Sequence, residues 1–327
     1  MCWETGHRLG LGAARVGADD DDSIFRCLAA ALAGCSTLTL GPGGNAGSGP
    51  DLIEPSPCSV FLFSACGWRS AFMKISIITA TWNCVGTVGD CLASVAGQSH
   101  AEREHILIDG GSTDGTLAVI EAQRAALAVL VSEPDGGIYD ALNKGIARAT
   151  GEVVGLLHAD DLYADPEVLA RIAAAFADPA VDAVYGDLVY VAKADTQRVI
   201  RHWRAGAYRP ERLRLGWMPP HPTLYLRRAL YERHGVFDTR YQIAADYDLM
   251  LRVLSRLTGR VEYLPQVLVR MRVGGASNRS LRHILRKSWE DYQALRVNGM
   301  GGVGALAWKN LSKVPQFWQG RDATEEP

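Results

Sequence analysis

The chain has 327 residues, of which 48% are hydrophobic and 21% are charged, and its formal net charge is −2. These values are typical of a soluble protein with one large α/β domain, with or without appendages. The charge balance gives no reason to expect a nucleic-acid partner. No run of about 18 apolar residues is free of charges and of Gly or Pro breaks, which argues against a membrane span.

Residues 1–72 differ in composition from the rest of the chain. They contain five of the seven cysteines, at spacings that fit neither a zinc site nor a disulfide framework. The apolar segment Cys27–Leu40 lacks the basic region that precedes such a segment in a secretory signal. Two interpretations are open, a disordered leader and a translated stretch upstream of the true start. We favour the second, because Met73 leads directly into a strand.

From Met73 onward, strand and helix patterns alternate. Buried strands are predicted, from β-branched and apolar runs, at Lys74–Thr79, Glu104–Asp109, Leu127–Ser132, Glu152–Leu157 and Asp182–Tyr190. Helices are predicted between them, from apolar spacing, at Val85–Gln98, Thr116–Ala126, Gly136–Thr150 and Pro166–Ala177, with Gly151 as the C-cap of the third. This alternation predicts an α/β fold with a Rossmann-like, doubly wound, mainly parallel sheet.

Two adjacent carboxylates, Asp160 and Asp161, follow the strand that ends at Leu157. Ligands of parallel α/β sheets bind beyond the carboxyl ends of the strands. An acidic pair at that place is suited to hold a divalent cation and the phosphates that the cation bridges, although Asp is also common in turns and helix caps. Asp109 also ends its strand, so we expect it to face the same crevice.

The glycine-rich loop 110–115 (GGSTDG) is not a dinucleotide fingerprint. It follows the second strand instead of the first and lacks the G-x-G-x-x-G spacing, which argues against a dehydrogenase. Because the loop joins a strand to a helix N-terminus, its backbone N–H groups favour an anion or a polar ligand edge.

Beyond Tyr190 the sequence pattern changes. Strands are predicted at Gln197–Trp203, as an antiparallel or edge strand, and at Thr223–Leu226, Val261–Leu264 and Val267–Arg272. Helices are predicted at Arg227–His234, which Gly235 closes, and from the segment Phe237–Leu249 to about Leu257.

The C-terminal part is basic. Between Arg270 and Lys313 there are nine Lys and Arg residues and only two acidic residues, Glu290 and Asp291, so the formal charge of this stretch is +7. Trp and Leu residues lie among these charges. Basic amphipathic helices with Trp often lie in a membrane interface. A solvated face over an ordinary packed helix is the other interpretation, and both stay open.

Six segments, in this order, resemble the motifs of the family 2 glycosyltransferases, which are inverting enzymes of the GT-A fold. The similarity is greatest to bacterial transferases that build extracellular polysaccharide, O-antigen or glycolipid glycans. The segments are Ile75–Asn83, Ile108–Thr116, Glu133–Gly145, Gly151–Asp161, His221–Arg228 and Phe237–Leu249. The resemblance implies a GT-A domain at 73–275, with a nucleotide-sugar half at 73–190 and a smaller acceptor and catalytic half at 191–275. Residues 1–72 are then an extension, and 276–327 form basic amphipathic C-terminal helices.

On the donor side, the resemblance implies roles for seven positions. Asp161 would ligate Mg²⁺ or Mn²⁺, and Asp160 would contact the ribose or share the metal. Asp109 would bind the base or ribose, with Thr79 lining the same pocket. The remaining donor-side residues are Asp135, Asn143 near the nucleotide or sugar, and Lys144 near the diphosphate, with a solvent-exposed Lys144 and a structural Thr79 as the alternatives.

On the acceptor side, the resemblance implies that Asp246 is the general base that deprotonates the acceptor hydroxyl. Ala245 stands where the family more often has Glu, a departure that leaves the base in place. Asp248 is interpreted as a brace of the helix, with the base as its alternative role. His221, in a Pro-flanked loop, would face the sugar or the metal or serve the loop structurally.

The implied activity is metal-dependent, inverting transfer of a hexose from a nucleoside-diphosphate sugar to a glycan or a polyprenyl- or other lipid-linked acceptor. Such an enzyme would act in the cytoplasm or at the inner face of the cell membrane, in cell-surface polysaccharide or glycolipid biosynthesis. A sugar nucleotidyltransferase is the first alternative, but it would carry a Gly-rich, basic loop where 80–86 reads ATWNCVG. The second is a catalytically silent sugar-binding relative. The sequence does not specify the nucleotide, sugar or acceptor.

Overall fold

The computed structural model describes residues 72–273 and 281–311, and the fold is reported for these ranges. The predicted extension 1–72, apart from Phe72, and the ends of the predicted C-terminal segment lie outside the described residues. Within them, strands and helices alternate as the sequence predicts, up to the change of pattern near residue 190.

A nine-stranded mixed sheet forms the centre of the described structure. Its strands are β1 Ile75–Thr81, β2 Arg103–Asp109, β3 Val129–Ser132, β4 Val153–Leu156, β5 Leu162–Tyr163, β6 Val181–Val191, β7 Val199–Trp203, β8 Tyr225–Arg227 and β9 Arg260–Arg272. Their order is β3-β2-β1-β4-β8-β6-β9-β5, with β7 on β6. Strands β3, β2, β1 and β4 are parallel, whereas β8 is antiparallel to both of its neighbours, β4 and β6.

Helices cover the sheet, and in the described residues two further helices follow the last strand toward the C-terminus. They are α1 Val88–Ala96, α2 Thr116–Ala122, α3 Ile138–Ile146, α4 Val168–Phe176, α5 Pro210–Leu213, α6 Arg228–His234, α7 Ala245–Leu254, α8 Leu281–Val297 and α9 Val303–Leu311, with 3₁₀ turns at Arg124–Ala126 and His221–Thr223. None of the helices in the described ranges has the length and apolarity needed to cross a bilayer.

The central strand β1 is buried along its whole length. Such a continuous apolar run is typical of a parallel strand that is covered on both faces. Helix α3 lies directly on this strand, since a Cβ added at Gly145 would stand 2.3 Å from the Ile78 side chain. The start of α3 lies at the edge of the sheet where the candidate site forms, since the Tyr139 hydroxyl stands 3.5 Å from Oδ1 of Asp246.

Several predicted boundaries need correction. Strand β1 continues to Thr81 and does not end at Thr79. Helix α3 ends at Ile146 with Ala147 as its C-cap, so the prediction of Gly151 as the cap is wrong. Gly151 instead packs against β1, where an added Cβ would stand 2.6 Å from the Lys74 carbonyl oxygen.

The second half of the sheet departs further from the prediction. Val261–Leu264 and Val267–Arg272 are not separate strands but parts of β9, which pairs with β6 through register shifts beside Gly186 and Asp187. A bulge of this kind keeps the strand paired across an irregular stretch. The predicted fifth strand, β6, is not next to β4, because the short strand β8 lies between them.

The C-terminal helices α8 and α9 belong to the same hydrophobic core as α7. Ala294 and Leu295 of α8 are fully buried with Leu249 and Leu251 of α7, and Leu306 of α9 packs against this cluster. In the described residues, α8 and α9 therefore pack into the same hydrophobic core as α7, and the domain boundary at 275 stays a prediction.

Candidate active site

The acidic pair lies on a tight turn at the carboxyl edge of the sheet. Leu157, just after β4, donates its N–H to the Ile78 carbonyl of β1 (3.1 Å), and Asp161 donates its N–H to the His158 carbonyl (3.0 Å). Strands β1 and β2 end level with each other, since Thr81 stands opposite Asp109. The turn is thus presented at the edge where parallel sheets bind ligands.

Asp161 is completely buried, and neither of its carboxylate oxygens has a hydrogen-bond donor among the described residues. Burial, and then the neighbouring Asp160 carboxylate, raise the pKa of Asp161 well above its usual range. Asp160 itself is half-buried. An unsatisfied buried carboxylate is costly, and a bound cation would supply the partner that the protein does not.

The donor set of this turn fits Mg²⁺ or Mn²⁺ bound together with a diphosphate. Within the described ranges no cluster of three or more acidic, His or Cys side chains is arranged to hold a metal ion. Mg²⁺ commonly takes only one or two protein carboxylates and completes its shell with phosphate oxygens and water. Asp161 and Asp160 together provide that number of carboxylates.

Arg272, the last residue of β9, holds the acidic turn in place. It is buried, its Nη1 donates to the Asp160 carbonyl (2.9 Å), and its Nη2 pairs with Asp90 of α1. The nearby backbone N–H of Arg272, and then its positive charge, lower the pKa of the Asp161 carboxyl, against the larger effect of burial. Arg272 was not among the predicted site residues, although its place at the end of a predicted strand is a signal that could have identified it.

Asp246 lies in the first turn of α7 and remains partly accessible, with 22% of its side chain exposed. Its Oδ1 accepts the Tyr247 N–H at 2.8 Å and stands 3.5 Å from the Tyr139 hydroxyl. Its Oδ2 is 3.4 Å from Nδ1 of His221. A carboxylate at this accessible place can take a proton from a bound hydroxyl group.

Two histidines connect this carboxylate to the acidic turn. Nε2 of His158 and Nε2 of His221 are 2.9 Å apart. Burial lowers the pKa of both rings to about 4, helped by His221 for His158 and by Lys287 for His221, so both are neutral near pH 7. The neutral tautomers that satisfy both contacts place protons on Nδ1 of His221, toward Asp246, and on Nε2 of His158.

The charges of Asp160 and Asp246 both act on His158. The structure therefore gathers the acidic turn and the predicted base around one histidine pair, although 86 residues separate the two aspartates along the chain. His158 was not among the predicted site residues. Its position just before the acidic pair, at the end of a strand, is the signal that could have identified it.

Asp109 is fully buried and shapes the glycine-rich loop from within. Its Oδ2 accepts the N–H groups of Gly111 (3.2 Å) and Ser112 (3.0 Å) and the Ser132 hydroxyl of β3 (2.7 Å). These bonds fix the loop against β3. The contact with the base or ribose that the family resemblance implies for Asp109 stays a prediction.

Two other predicted donor residues have structural partners. Thr79 is buried inside β1 with its hydroxyl 2.9 Å from Nε2 of His105, so it is not the strand-end residue that we expected. Asn143 exchanges two hydrogen bonds with the backbone of Phe237, at 2.8 and 2.9 Å, and thereby joins α3 to the second half of the domain. These contacts favour the structural alternative stated for Thr79 and show a structural role for Asn143, whose predicted place near the nucleotide or sugar stays a prediction.

The remaining donor-side residues surround the start of α3. Lys144 pairs with Glu133 (2.9 Å) and Asp140 (3.3 Å), which occupies its charge within the protein. Asp135 lies directly over Gly110, where an added Cβ would stand 2.6 Å from Asp135 Oδ2, and so borders the glycine-rich loop.

Asp248 is the buried brace of α7 that the sequence predicted as the first of its two roles. It accepts a hydrogen bond from Asn298 at the end of α8 (2.8 Å) and pairs with Arg252 (3.2 Å). Because these two partners occupy the carboxylate, the partly accessible Asp246 is the better placed of the two for an acceptor hydroxyl.

Together, the fold and the site define an α/β enzyme that places an acidic pair and a third carboxylate around one histidine pair. Residues 76–239 match the family described as Glycosyl transferase family 2. The chain belongs to this family, and its mixed, mostly parallel sheet with covering helices is a GT-A glycosyltransferase fold.

Relatives in several bacteria share part of the sequence. A PGL/p-HBAD biosynthesis glycosyltransferase of Mycobacterium bovis is 33% identical over 208 residues, which are 62% of this chain and 78% of that protein. The O-antigen biosynthesis protein RfbC of Myxococcus xanthus is 31% identical over 204 residues, 58% of this chain but 15% of that protein.

Solved structures agree on the fold. TarS 1–349 of S. aureus in complex with UDP-GlcNAc has a TM-score of 0.54 at 22% identity, and the match covers 69% of this chain and 65% of that one, just under two thirds. The mannosyltransferase PcManGT of Pyrobaculum calidifontis, solved with GDP-Man and Mn²⁺, has a TM-score of 0.54 at 20% identity, over 82% of this chain and 86% of that one.

Proposed function

We propose that this glycosyltransferase moves a hexose from a nucleoside-diphosphate sugar to a glycan or lipid-linked acceptor, with inversion and with a divalent cation. One observation supports this most directly. The accessible carboxylate of Asp246 and the acidic turn stand on either side of the His158–His221 pair. Single displacement needs such a base opposite the site of the leaving diphosphate.

In this mechanism, Asp246 accepts the proton of the acceptor hydroxyl as that oxygen attacks the anomeric carbon. His221, whose Nδ1 lies 3.4 Å from Oδ2, and Tyr139, 3.5 Å from Oδ1, stand beside the carboxylate and limit where it can move. Asp161 and Asp160 would hold Mg²⁺ or Mn²⁺, which when bound neutralises charge on the leaving diphosphate without a proton.

The nucleotide would extend along the edge formed by the ends of β1 and β2. Trp82, directly after β1, is 69% exposed there and offers a flat face on which a nucleobase can stack. The glycine-rich loop organised by Asp109, with Asp135 over Gly110, borders the same edge. The donor roles that the family resemblance implies for Asp109 and Asp135 are part of this proposal.

The two alternative functions have weaker support. A sugar nucleotidyltransferase needs cationic groups in the loop after the first strand, and Ala80–Gly86 has neither Lys nor Arg. A silent sugar-binding relative would need none of the carboxylates, whereas Asp160, Asp161 and Asp246 are all present and positioned around one histidine pair.

A thermal-shift panel tests the proposed donor class. We expect UDP-glucose, UDP-N-acetylglucosamine, GDP-mannose or dTDP-rhamnose to raise the melting temperature in the presence of Mn²⁺ and to lose most of that effect in EDTA. Saturation at about 100 times Kd corresponds to about 2.7 kcal/mol of stabilisation, which is readily measured. If no nucleotide-sugar shifts the melting temperature, with or without metal, the proposed function is wrong.

We further propose that the protein contacts a membrane surface, because the two sides of α8 differ in chemistry. Both acidic residues of this helix, Glu290 and Asp291, face inward and are buried, so its described length has no exposed acidic side chain. Large apolar side chains face outward instead, with Leu285 at 72% and Trp289 at 59% exposure. Arg286 and Arg296 are exposed beside them.

Because its inward side is fixed by buried polar contacts, α8 cannot turn its apolar side into the core without breaking them. A basic and apolar helix surface with Trp matches the chemistry of an anionic lipid interface. We infer that this side of α8 rests on the inner face of the cell membrane, where a lipid-linked acceptor would be presented to Asp246.

Co-sedimentation with vesicles tests this contact. The wild type is expected to bind phosphatidylglycerol-containing vesicles and not pure phosphatidylcholine, and Leu285→Ala/Trp289→Ala is expected to lower the bound fraction at least about fivefold. Val199→Ala/Ile200→Ala removes two exposed apolar side chains of β7 and serves as the matched control. Equal losses in both double variants, or no loss in either, would contradict a membrane surface on α8.

A further inference from the structure

The segment that leads into α7 is bound by a single carboxylate from the C-terminal region. Oε2 of Glu290 accepts the backbone N–H groups of three consecutive residues, Gln242 (3.1 Å), Ile243 (2.8 Å) and Ala244 (3.0 Å). Glu290 is 6% exposed. Successive N–H groups converge on one anion only when the backbone curves into a concave nest, so this carboxylate specifies the path of residues 242–244.

The same segment is held from the opposite direction by α3. The Tyr139 hydroxyl donates to the Ile243 carbonyl at 2.7 Å, and its ring stacks on Phe237 with 5.5 Å between centroids. Ile243 therefore has its N–H bound by α8 and its carbonyl bound by α3. Asp246 follows three residues later, in the first turn of α7, so the position of its carboxylate depends directly on this stretch of backbone.

Helix α8 is itself a fixed support. Asp291, next to Glu290, pairs with Lys309 of α9 at 2.8 Å in a buried position. Lys309 also lies over the ring of Tyr247, with Nζ 3.1 Å from the centroid. At its C-terminal end, α8 is bound to α7 through the hydrogen bond from Asn298 to Asp248. These contacts fix the position of the Glu290 backbone relative to α7.

We propose that Glu290 is a positioning residue of the transfer reaction, which holds the backbone of residues 242–244 and thereby aims the Asp246 carboxylate at the acceptor hydroxyl. This inference rests on the proposed role of Asp246 as the base. Glu290 does not contact the reacting atoms, and the donor side of the site, built on β1, β2 and β4, does not depend on it. Removal of the Glu290 carboxylate should therefore lower the turnover rate and leave nucleotide binding intact.

The first test compares Glu290→Gln with the wild type. The amide keeps the size of the side chain but replaces the charge-assisted acceptor with a weaker one. We expect kcat for transfer from the best nucleotide-sugar of the panel, to water or to an added acceptor, to fall about 10- to 100-fold, since displacements near 1 Å cost about that much. The KM for the donor and its thermal shift should stay within about twofold of the wild type.

Glu262→Gln is the control, because Glu262 is a partly exposed carboxylate of β9 whose ion-pair partner is Arg260. It should leave kcat unchanged. An equal fall of kcat in both variants, no fall in Glu290→Gln, or a parallel change in donor KM and donor thermal shift would overturn the positioning role.

A double variant separates this inference from the base assignment. If Glu290 acts through Asp246, Glu290→Gln should cause little further loss in an Asp246→Asn background, because the two changes remove the same contribution. A full additional 10- to 100-fold loss there would overturn the inference. If Asp246→Asn alone keeps the wild-type rate, the proposed base is wrong and the failure lies with the proposed function.

Hydrogen exchange gives a readout that needs no turnover. In Glu290→Gln the amides of Gln242, Ile243 and Ala244 should exchange at least about tenfold faster, because their common acceptor is weakened. Peptides from β1 and β2 should exchange at the wild-type rate. Unchanged exchange at residues 242–244 would overturn the proposal independently of any kinetic result.

Discussion

Replacement of Asp246 by Asn is expected to abolish sugar transfer while donor binding persists. The change removes the partly accessible carboxylate beside His221, and an amide cannot accept the acceptor proton at neutral pH. General bases contribute about 10²–10⁴ in rate, so we expect kcat to fall by at least about 10³. The isosteric amide can still accept the Tyr247 N–H through its oxygen, so the helix start should remain folded.

The measurement combines initial rates of nucleoside-diphosphate release with the thermal shift caused by the same nucleotide-sugar. Asp238→Asn is the matched control, because Asp238 is a carboxylate of the same region that pairs with Arg240 and not with the histidines. It should transfer sugar at nearly the wild-type rate. A wild-type rate in Asp246→Asn would refute the base assignment, whereas loss of the donor thermal shift would mean that Asp246 serves the donor side.

Replacement of Asp161 by Asn is expected to remove the metal dependence of nucleotide binding. Asp161 is buried without a hydrogen-bond donor, and its pKa is raised by burial and by Asp160, so a cation is its natural partner. We expect the affinity for a nucleoside diphosphate in Mn²⁺ to fall at least about 100-fold, which is about 2.7 kcal/mol. Without metal, the variant should melt at or above the wild-type temperature, because an uncompensated buried carboxylate has been removed.

Titration calorimetry with UDP or GDP, with Mn²⁺ and with EDTA, measures this effect. Asp165→Asn is the control, since Asp165 lies four residues further along and pairs with Arg171 instead of facing the turn. It should bind nucleotide in Mn²⁺ as the wild type does. Undiminished Mn²⁺-dependent binding in Asp161→Asn would show that Asp161 is a buried structural residue and not a metal ligand.

The parts of the site that were predictable are those with local signals. The pair Asp160–Asp161 follows an apolar run, and Asp246 opens a helix within a recognisable motif, so both could be placed from the sequence. The brace role of Asp248 was likewise predicted. Thr79 was misplaced because a β-branched run does not show where a strand ends, and β1 continues for two further residues.

Other parts depend on contacts between distant segments. Glu290 and Lys309 belong to a stretch that was read as a membrane surface or a solvated face, whereas both side chains are buried against the catalytic half. Arg272 reaches the acidic turn from a strand more than 100 residues later. No local sequence pattern predicts which face of a basic helix packs inward, because that depends on the partner residues that α7 and α9 provide.

The amino-acid sequence by itself determined the family, the α/β alternation and the acidic pair at a strand end, because apolar periodicity and short motifs are local properties of the chain. Only the tertiary structure decided that β8 enters the sheet between β4 and β6, that His158 meets His221, and that Glu290 holds the segment before Asp246. These features arise from the burial of polar groups that must find partners elsewhere in the chain. Such partners are set by packing in three dimensions, not by spacing along the sequence.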